Sequence, residues 1–335
     1  LPVLIDTLSF ERWREGTPWV AYRQFCQHFL GALALMSRTD VRLGQLSRLF
    51  IDGAPLDLVC RLLPFSSRVS PSLLMHLHLH ARAQERHGSG AITNRQPDAF
   101  KRRSMLGLID SLESAVEAMT CEPARGPWAD YYSHTNYSAG AMADKHRVVD
   151  AFIERQRPGV VWDLGANTGA FSRLASARGA YTLALDGDPD AVERHYVDVA
   201  ARRDNRVLPL VMDLANPSGR IGWSHAERLS LLDRGPADLV LALGLIHHLS
   251  LSNQVPFERT AEFFHQAGRA LVIEFVPPSD SQVAGMLSRM PRLQPGYSLD
   301  AFEHGFARWF DVVEVAPVAD SERRLYLMRS KERPA

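Results

Sequence analysis

The sequence predicts an α/β fold: a seven-stranded Rossmann-like sheet, mostly parallel with one antiparallel edge strand, preceded by a smaller α-rich N-terminal domain. Three observations predict it. Short apolar runs alternate with amphipathic helical stretches through the C-terminal half, and strands that each feed a helix must pair in parallel, because only a crossover returns the chain in the same direction. The first of these strands runs into a glycine-bearing turn. The last two are separated only by residues 319–323, which makes them an antiparallel hairpin at one edge.

In chain order, Leu1 to Ile5 reads as strand-like and begins without Met, the pattern of a fragment of a larger domain. Residues 8–83 are helical, with Trp19, Tyr22, Phe25, Phe29, Leu30 and Leu33 near helical spacing and Pro55, Pro64 and Pro71 as punctuation. Charge, Gly88, Ser89, Gly90 and Pro97 mark a linker at about 81–103. The first domain is therefore expected over 1–103. A helix over 104–119 and an aromatic run from Trp128 to Tyr137 form a second segment, 104–137, and the α/β domain follows at 138–335. Its opening helix spans about Ala139 to Gln156. The expected strands are Val160 to Leu164, Tyr181 to Asp186, Arg206 to Met212, Ala237 to Leu243, Ala270 to Phe275, Val312 to Val318 and Arg324 to Met328, with a helix after each of the first five.

The 335 residues carry 38 Lys plus Arg and 38 Asp plus Glu, so no long-range positive field gathers nucleic acid or an anionic membrane surface. The longest uncharged stretch, Leu239 to Phe257, contains His247, His248, Asn253 and Gln254, which a spanning helix would have to hold in hydrocarbon. No membrane partner is expected. Cys26, Cys60 and Cys121 lie far apart without metal or redox spacing, the usage of a reducing, cytoplasmic compartment. His76 and His80 share a helix face, but leucines intervene and no third ligand is near; core packing is the expectation, and no metal.

The chemistry concentrates in Val160 to Phe171, a buried strand, a turn and a helix N-terminus, where backbone approaches a nucleotide-like ligand closely. Aligned on G-x-G-x-x-G from Gly165, the turn has Asn167 at the second glycine and Ala170 at the third. An Asn side chain crowds a pyrophosphate pressed on the backbone. S-adenosylmethionine (SAM) has no phosphate, and its ammonium and sulfonium favour a carboxylate such as Asp163. A second strand ends in Asp186, 21 residues after Gly165, near the separation at which an acid reaches ribose hydroxyls. Asp188 and Asp190 read as caps of the helix that follows.

Asp163-Leu-Gly165-Ala-Asn167-Thr-Gly169 resembles the first motif of class I SAM-dependent methyltransferases, in the variant with Asn at the central glycine. The resemblance implies that Asp186 binds the SAM ribose. It implies that Asp213 accepts from the adenine amino group while Met212 and Leu214 flank the ring; a capping role before Pro217 is the structural alternative for Asp213. Ala166, Gly187, Leu243 and Gly244 complete the contacts, with Tyr137 in a flap that includes Tyr131, Tyr132 and His134; packing between domains is the alternative for these aromatics. Tyr137→Ala is expected to weaken SAM binding. His247-His248-Leu249 after the fourth strand resembles a pattern of many small-molecule methyltransferases. One imidazole is a candidate general base, and hydrogen bonding that shapes the pocket is the other reading. Glu274, ending the fifth strand, either contacts substrate or caps a loop. The segments around Leu4 to Glu11, Asp130 to Tyr137, Ile273 to Pro277 and Arg324 to Met328 resemble a bacterial methyltransferase subgroup related to nodulation proteins.

The resemblance implies methyl transfer from SAM, leaving S-adenosylhomocysteine (SAH), to a small-molecule acceptor that the sequence does not identify, with no nucleic-acid partner. A SAM-binding module without activity and a protein or nucleic-acid methyltransferase stay open as alternatives. A NAD-dependent oxidoreductase lacks its glycines at Asn167 and Ala170.

Overall fold

A computed structural model of the chain describes residues 11–87, 100–120, 137–289 and 296–332. The expected Leu1 to Ile5 strand, residues 88–99 of the linker, Cys121 and the aromatic run up to residue 136 lie outside the described residues. Contacts divide the chain into two units, Leu1–Glu122 and Pro123–Ala335.

The second unit opens with α1 (Ala139–Gln156), started by Ser138, whose hydroxyl accepts from the Ala141 N–H at 3.0 Å, as an N-cap should. Strand β1 (Val160–Leu164) leads into α2 (Ala170–Ala177), β2 (Tyr181–Asp186) into α3 (Pro189–Arg202), and β3 (Val207–Val211) into a long passage to β4 (Leu239–Ala242). Helix α4 (Phe257–Ala267), β5 (Ala270–Phe275), α5 (Ser281–Arg289), α6 (Leu299–Ala307), β6 (Phe310–Pro317) and β7 (Arg324–Ser330) complete it. The sheet order is β3-β2-β1-β4-β5-β7-β6. Strands β1 to β5 pair in parallel, and β7 runs antiparallel to both β5 and β6, so the terminal hairpin forms one edge with the reversed strand tucked between its neighbours.

Strands buried on both faces read as continuous apolar runs, and both faces are covered here. Trp162, Leu164, Val240, Leu271, Ile273 and Tyr326 face Phe264 of α4 and Phe302 and Phe306 of α6. Val161, Leu239, Leu241, Val272 and Leu327 face Val149, Phe152 and Ile153 of α1 and Phe171 of α2.

The expected helix after every strand fails at β3. The only helix in residues 212–238 is the pair of 3-10 turns Trp223–His225 and Leu232–Arg234, because Pro217, Gly219, Gly222, Gly235 and Pro236 interrupt any helical period. Arg220 instead ties the passage to Asp233 through a 2.6 Å bond from its Nε.

In the first unit, a helix over residues 22–38 includes the π-helical turn Phe25–Leu30, and one over residues 71–87 includes the π-helical turn Leu74–Leu79. The helix His80–His87 occupies the start of the segment expected as linker. The helix Arg102–Glu117 packs Leu112 and Ala115 into the same core as Cys26, Leu30, Leu56, Val59 and Leu77. His76 and His78 are buried in this core and His80 is half-buried. His76 shares hydrogen bonds with the Tyr22 hydroxyl (2.8 Å) and the Ser111 hydroxyl (2.9 Å), His78 bonds Ser67 at 2.8 Å, and His80 stacks on Tyr22. Among the described residues no helix is long and apolar enough to cross a membrane.

Candidate active site

The turn between β1 and α2 sits where β1 and β4 lie side by side and their connections depart in opposite directions, the crevice where open α/β sheets hold ligands. Gly165, Asn167 and Gly169 have φ of 77°, 49° and 78°, left-handed values that glycine and, at some cost, Asn adopt. The Asn in place of the central glycine thus keeps the turn's shape. The Gly165 and Ala166 N–H groups both donate to the Leu185 carbonyl, at 2.8 and 3.0 Å, and Gly169 N–H closes the turn on the Ala166 carbonyl at 2.9 Å.

Asp186 ends β2 beside this turn. Its two carboxylate oxygens accept from the Asn167 N–H and the Asp188 N–H, each at 2.8 Å, so the acid fixes the turn. Burial raises its pKa, and the backbone donors oppose that rise. Asp188 caps α3 by accepting from the Asp190 N–H at 3.0 Å. Asp163, buried at the end of β1, accepts from the Ser172 hydroxyl at 2.6 Å. Burial, the Ser172 bond opposing and the neighbouring Asp186 adding, pushes its carboxyl up to about 6.

Met212, Asp213 and Leu214 follow β3 alongside. Met212 N–H bonds the Asp186 carbonyl at 2.7 Å, and a side chain on Gly187 would face the Met212 carbonyl. Asp213 is exposed and turns the chain by accepting from the Ala215 N–H at 2.9 Å. Leu243 and Gly244 (φ 62°) follow β4, and Leu245 lies against the bare α-carbon of Gly165.

Tyr137 and Glu274 meet in a buried charged cluster. Glu274 is fully buried on the face of β5 that α1 covers. Lys145 Nζ donates to its Oε2 at 2.7 Å, and the Tyr137 hydroxyl donates to its Oε1. Arg323 Nη1 lies 3.8 Å from the same Oε1 and Arg323 Nε donates to Asp280 at 2.8 Å. The Arg323 guanidinium covers the Tyr137 ring, 4.3 Å from its centroid, and Lys145 approaches the Tyr137 and Phe171 rings. Burial alone would raise the Glu274 carboxyl, but Lys145, Arg323 and the Tyr137 donor together hold it below its ordinary value. Burial pushes the Tyr137 phenol up, and Glu274 adds to that.

His247 packs on His248 with ring centroids 4.2 Å apart. Burial, then His248, Arg323 and Lys145, hold His247 well below the usual imidazole range, so it is neutral near pH 7. Its Nδ1 has no hydrogen-bond partner among the described residues. A cavity of about 430 Å³ opens beside this cluster, lined by Tyr137, Ser279, Asp280, Asp320, Glu322 and Arg323. The start of α1 is fastened to the β6–β7 turn: Asp144 accepts from the Ala319 N–H at 2.9 Å, and Ser138 donates to Asp320 at 3.2 Å.

The structure therefore gathers Asp163, Gly165, Ala166, Asn167, Gly169, Asp186, Gly187 and Met212 around one turn, and Tyr137 with Glu274 in one cluster. Tyr131, Tyr132 and His134 lie outside the described residues. Sequence reasoning missed Lys145, Arg323 and Asp280. Lys145 had a signal: it interrupts the buried stripe Ala141, Val148, Val149 and Phe152 of α1, where a lysine requires a buried partner.

The strand order, the single reversed strand and the Asp-Leu-Gly-Ala-Asn-Thr-Gly turn define a class I, Rossmann-like methyltransferase fold. No family profile matches the chain. It is 31% identical over 340 aligned positions to nodulation protein NoeA of Rhizobium meliloti (strain 1021), across 99% of this chain and 70% of that protein, and it belongs to the NoeA family. Solved structures align with part of the chain at lower identity. Magnesium protoporphyrin IX methyltransferase ChlM from Synechocystis PCC 6803, solved with bound SAH, is 18% identical over 61% of this chain and 93% of that one, with a TM-score of 0.42. N-methyltransferase NodS from Bradyrhizobium japonicum WM9 is 12% identical over 58% and 99%, with a TM-score of 0.41.

Proposed function

We propose that the chain is a SAM-dependent methyltransferase of the cytoplasm that acts on a small-molecule acceptor. The observation that carries this reading is the pair of carboxylates, buried Asp163 and half-buried Asp186, at a turn of left-handed residues. Two acids side by side repel a pyrophosphate and attract a cation, which fits a ligand with an ammonium and a sulfonium and no phosphate. Asp186 would hold the ribose, and Asp163 the positive amino-acid end. Asp213 would receive the adenine amino group between Met212 and Leu214. Ala166, Gly187, Leu243, Gly244 and Tyr137 would line the remainder.

When bound, the cofactor supplies a methyl group on a positively charged sulfur. The chain's contribution is orientation and exclusion of water. Lys145, Tyr137 and Arg323 hold the Glu274 carboxylate, so Glu274 shapes the acceptor side rather than taking a proton there. Neutral His247, with His248 behind it, is the group suited to accept a hydrogen bond or a proton from an acceptor hydroxyl or amine.

Calorimetry with SAH tests the reading: wild type binds, and Asp186→Ala and Tyr137→Ala bind more weakly. No measurable heat with SAH or SAM, or a thermal shift with NAD instead, overturns it. A second reading, a cofactor-binding module without turnover, is favoured by the engagement of Glu274 in ion pairs. Formation of SAH from SAM with candidate acceptors separates the two.

A further inference from the structure

We infer that His195, on α3, is a positioning residue that braces the cofactor turn from beneath. This rests on the reading of that turn as the SAM site. Helix α3 buries one stripe, Ala191, Val192, His195 and Val199, and His195 is 1% exposed. Its ring occupies the space that a side chain on Gly169 would fill: a Cβ built there would lie 1.9 Å from His195 Nε2 and 2.1 Å from Cε1. The imidazole edge therefore rests on the bare α-carbon of the residue whose N–H closes the turn on Ala166.

Two further features mark the contact as a steric brace rather than a polar link. Nε2 has no hydrogen-bond partner among the described residues. Burial, and then Arg173, lower the imidazole to about 4, so it is uncharged at working pH and contributes shape. Beside it, Arg173 Nη1 donates to the Thr168 carbonyl at 2.8 Å and to Asp198 of α3 at 3.3 Å. Helix α3 thus holds the turn at two successive residues: Thr168 through Arg173, and Gly169 through His195. A ligand gripped by backbone depends on such support, since a loosened supporting shell misplaces the contacting atoms.

The test compares wild type, His195→Ala, His195→Gln, Gly169→Ala and the double variant Gly169→Ala/His195→Ala, as full-length chains at a temperature where urea titration shows each fully folded. Calorimetry reads SAH affinity, and amide hydrogen exchange reads the turn without ligand. His195→Ala is expected to weaken SAH by about tenfold, or about 1.4 kcal/mol, and to speed exchange at Gly169. His195→Gln, whose amide reaches the same space, restores most of both. Gly169→Ala costs less affinity in the His195→Ala background than in wild type, because the clashing ring is gone. Unchanged exchange and affinity in His195→Ala, or strictly additive effects in the double variant, overturn the brace. Should wild type not bind SAH, the cofactor reading falls, and faster Gly169 exchange in His195→Ala still decides for the brace and unchanged exchange against it.

Discussion

Replacing Lys145 with Met removes the principal charge facing Glu274 while keeping the length of the side chain. Glu274 is fully buried, its closest cation is Lys145 at 2.7 Å, and Arg323 stands at 3.8 Å. Breaking a buried pair by removing one partner costs about 3–5 kcal/mol, because the survivor keeps its desolvation penalty. Arg323 and the Tyr137 hydroxyl still face the stranded carboxylate, which puts Lys145→Met near the lower end, about 3 kcal/mol. For a unit of this size that lowers the melting temperature by about 6–12 °C. Thermal unfolding followed by circular dichroism, supported by urea titration, measures it. The informative companion is Lys145→Met/Glu274→Gln, in which no unpaired carboxylate is left and Tyr137 keeps an acceptor. It should lie within about 1.5 kcal/mol of wild type, a coupling in the range seen for contacting residues. A shift below about 2 °C in Lys145→Met, or a double variant as unstable as the sum of its parts, refutes the reasoning that the pair is closed and desolvated.

Asp163 gives a pH signature. Its carboxyl stands at about 6 without ligand, and a cation favours the ionised form, so SAH affinity should rise as pH climbs from 5 to 7, by roughly three- to tenfold, and then level. Calorimetry across that window measures it, and Asp163→Asn should flatten the profile; an equal slope in that variant rejects the assignment. The same raised pKa carries the opposite sign for folding: its stabilisation is present below the unfolded value near 3.8 and lost as pH rises through about 6. In the first unit, His76→Leu strands the Tyr22 and Ser111 hydroxyls that the imidazole now joins. It should cost about 2–3 kcal/mol in urea unfolding, and a loss under 0.5 kcal/mol would show that water replaces those bonds.

Much of the sheet was legible because its strands are buried on both faces. The limits of β1, β2 and β5 were readable because each is a short, largely apolar run with a glycine one or two residues ahead of it, Gly159, Gly179 and Gly268. The β3 to β4 passage was not legible: it is held by Arg220, Ser230 and Asp233, contacts that no periodicity announces. Asp163, Asp186 and the glycine turn stood out because local backbone chemistry selects those residue types. The cluster around Glu274 did not, because its members come from α1, β5 and the approach to β7 and meet only after the sheet is assembled. Lys145 could have been found as a charge within an apolar stripe, whereas Arg323 lies among exposed hairpin residues with no such pattern. His195 was hidden for the same reason: its partner is the missing side chain of a glycine.

Hairpin turns are where chains usually accept extra residues at little expense. The turn between β6 and β7 is tied at Ala319 and Asp320 to the start of α1 and sends Arg323 over Tyr137. An insertion there would pull on the crevice's roof as surely as a change within it, so this short connection has the length tolerance of a hinge pin rather than that of a surface loop.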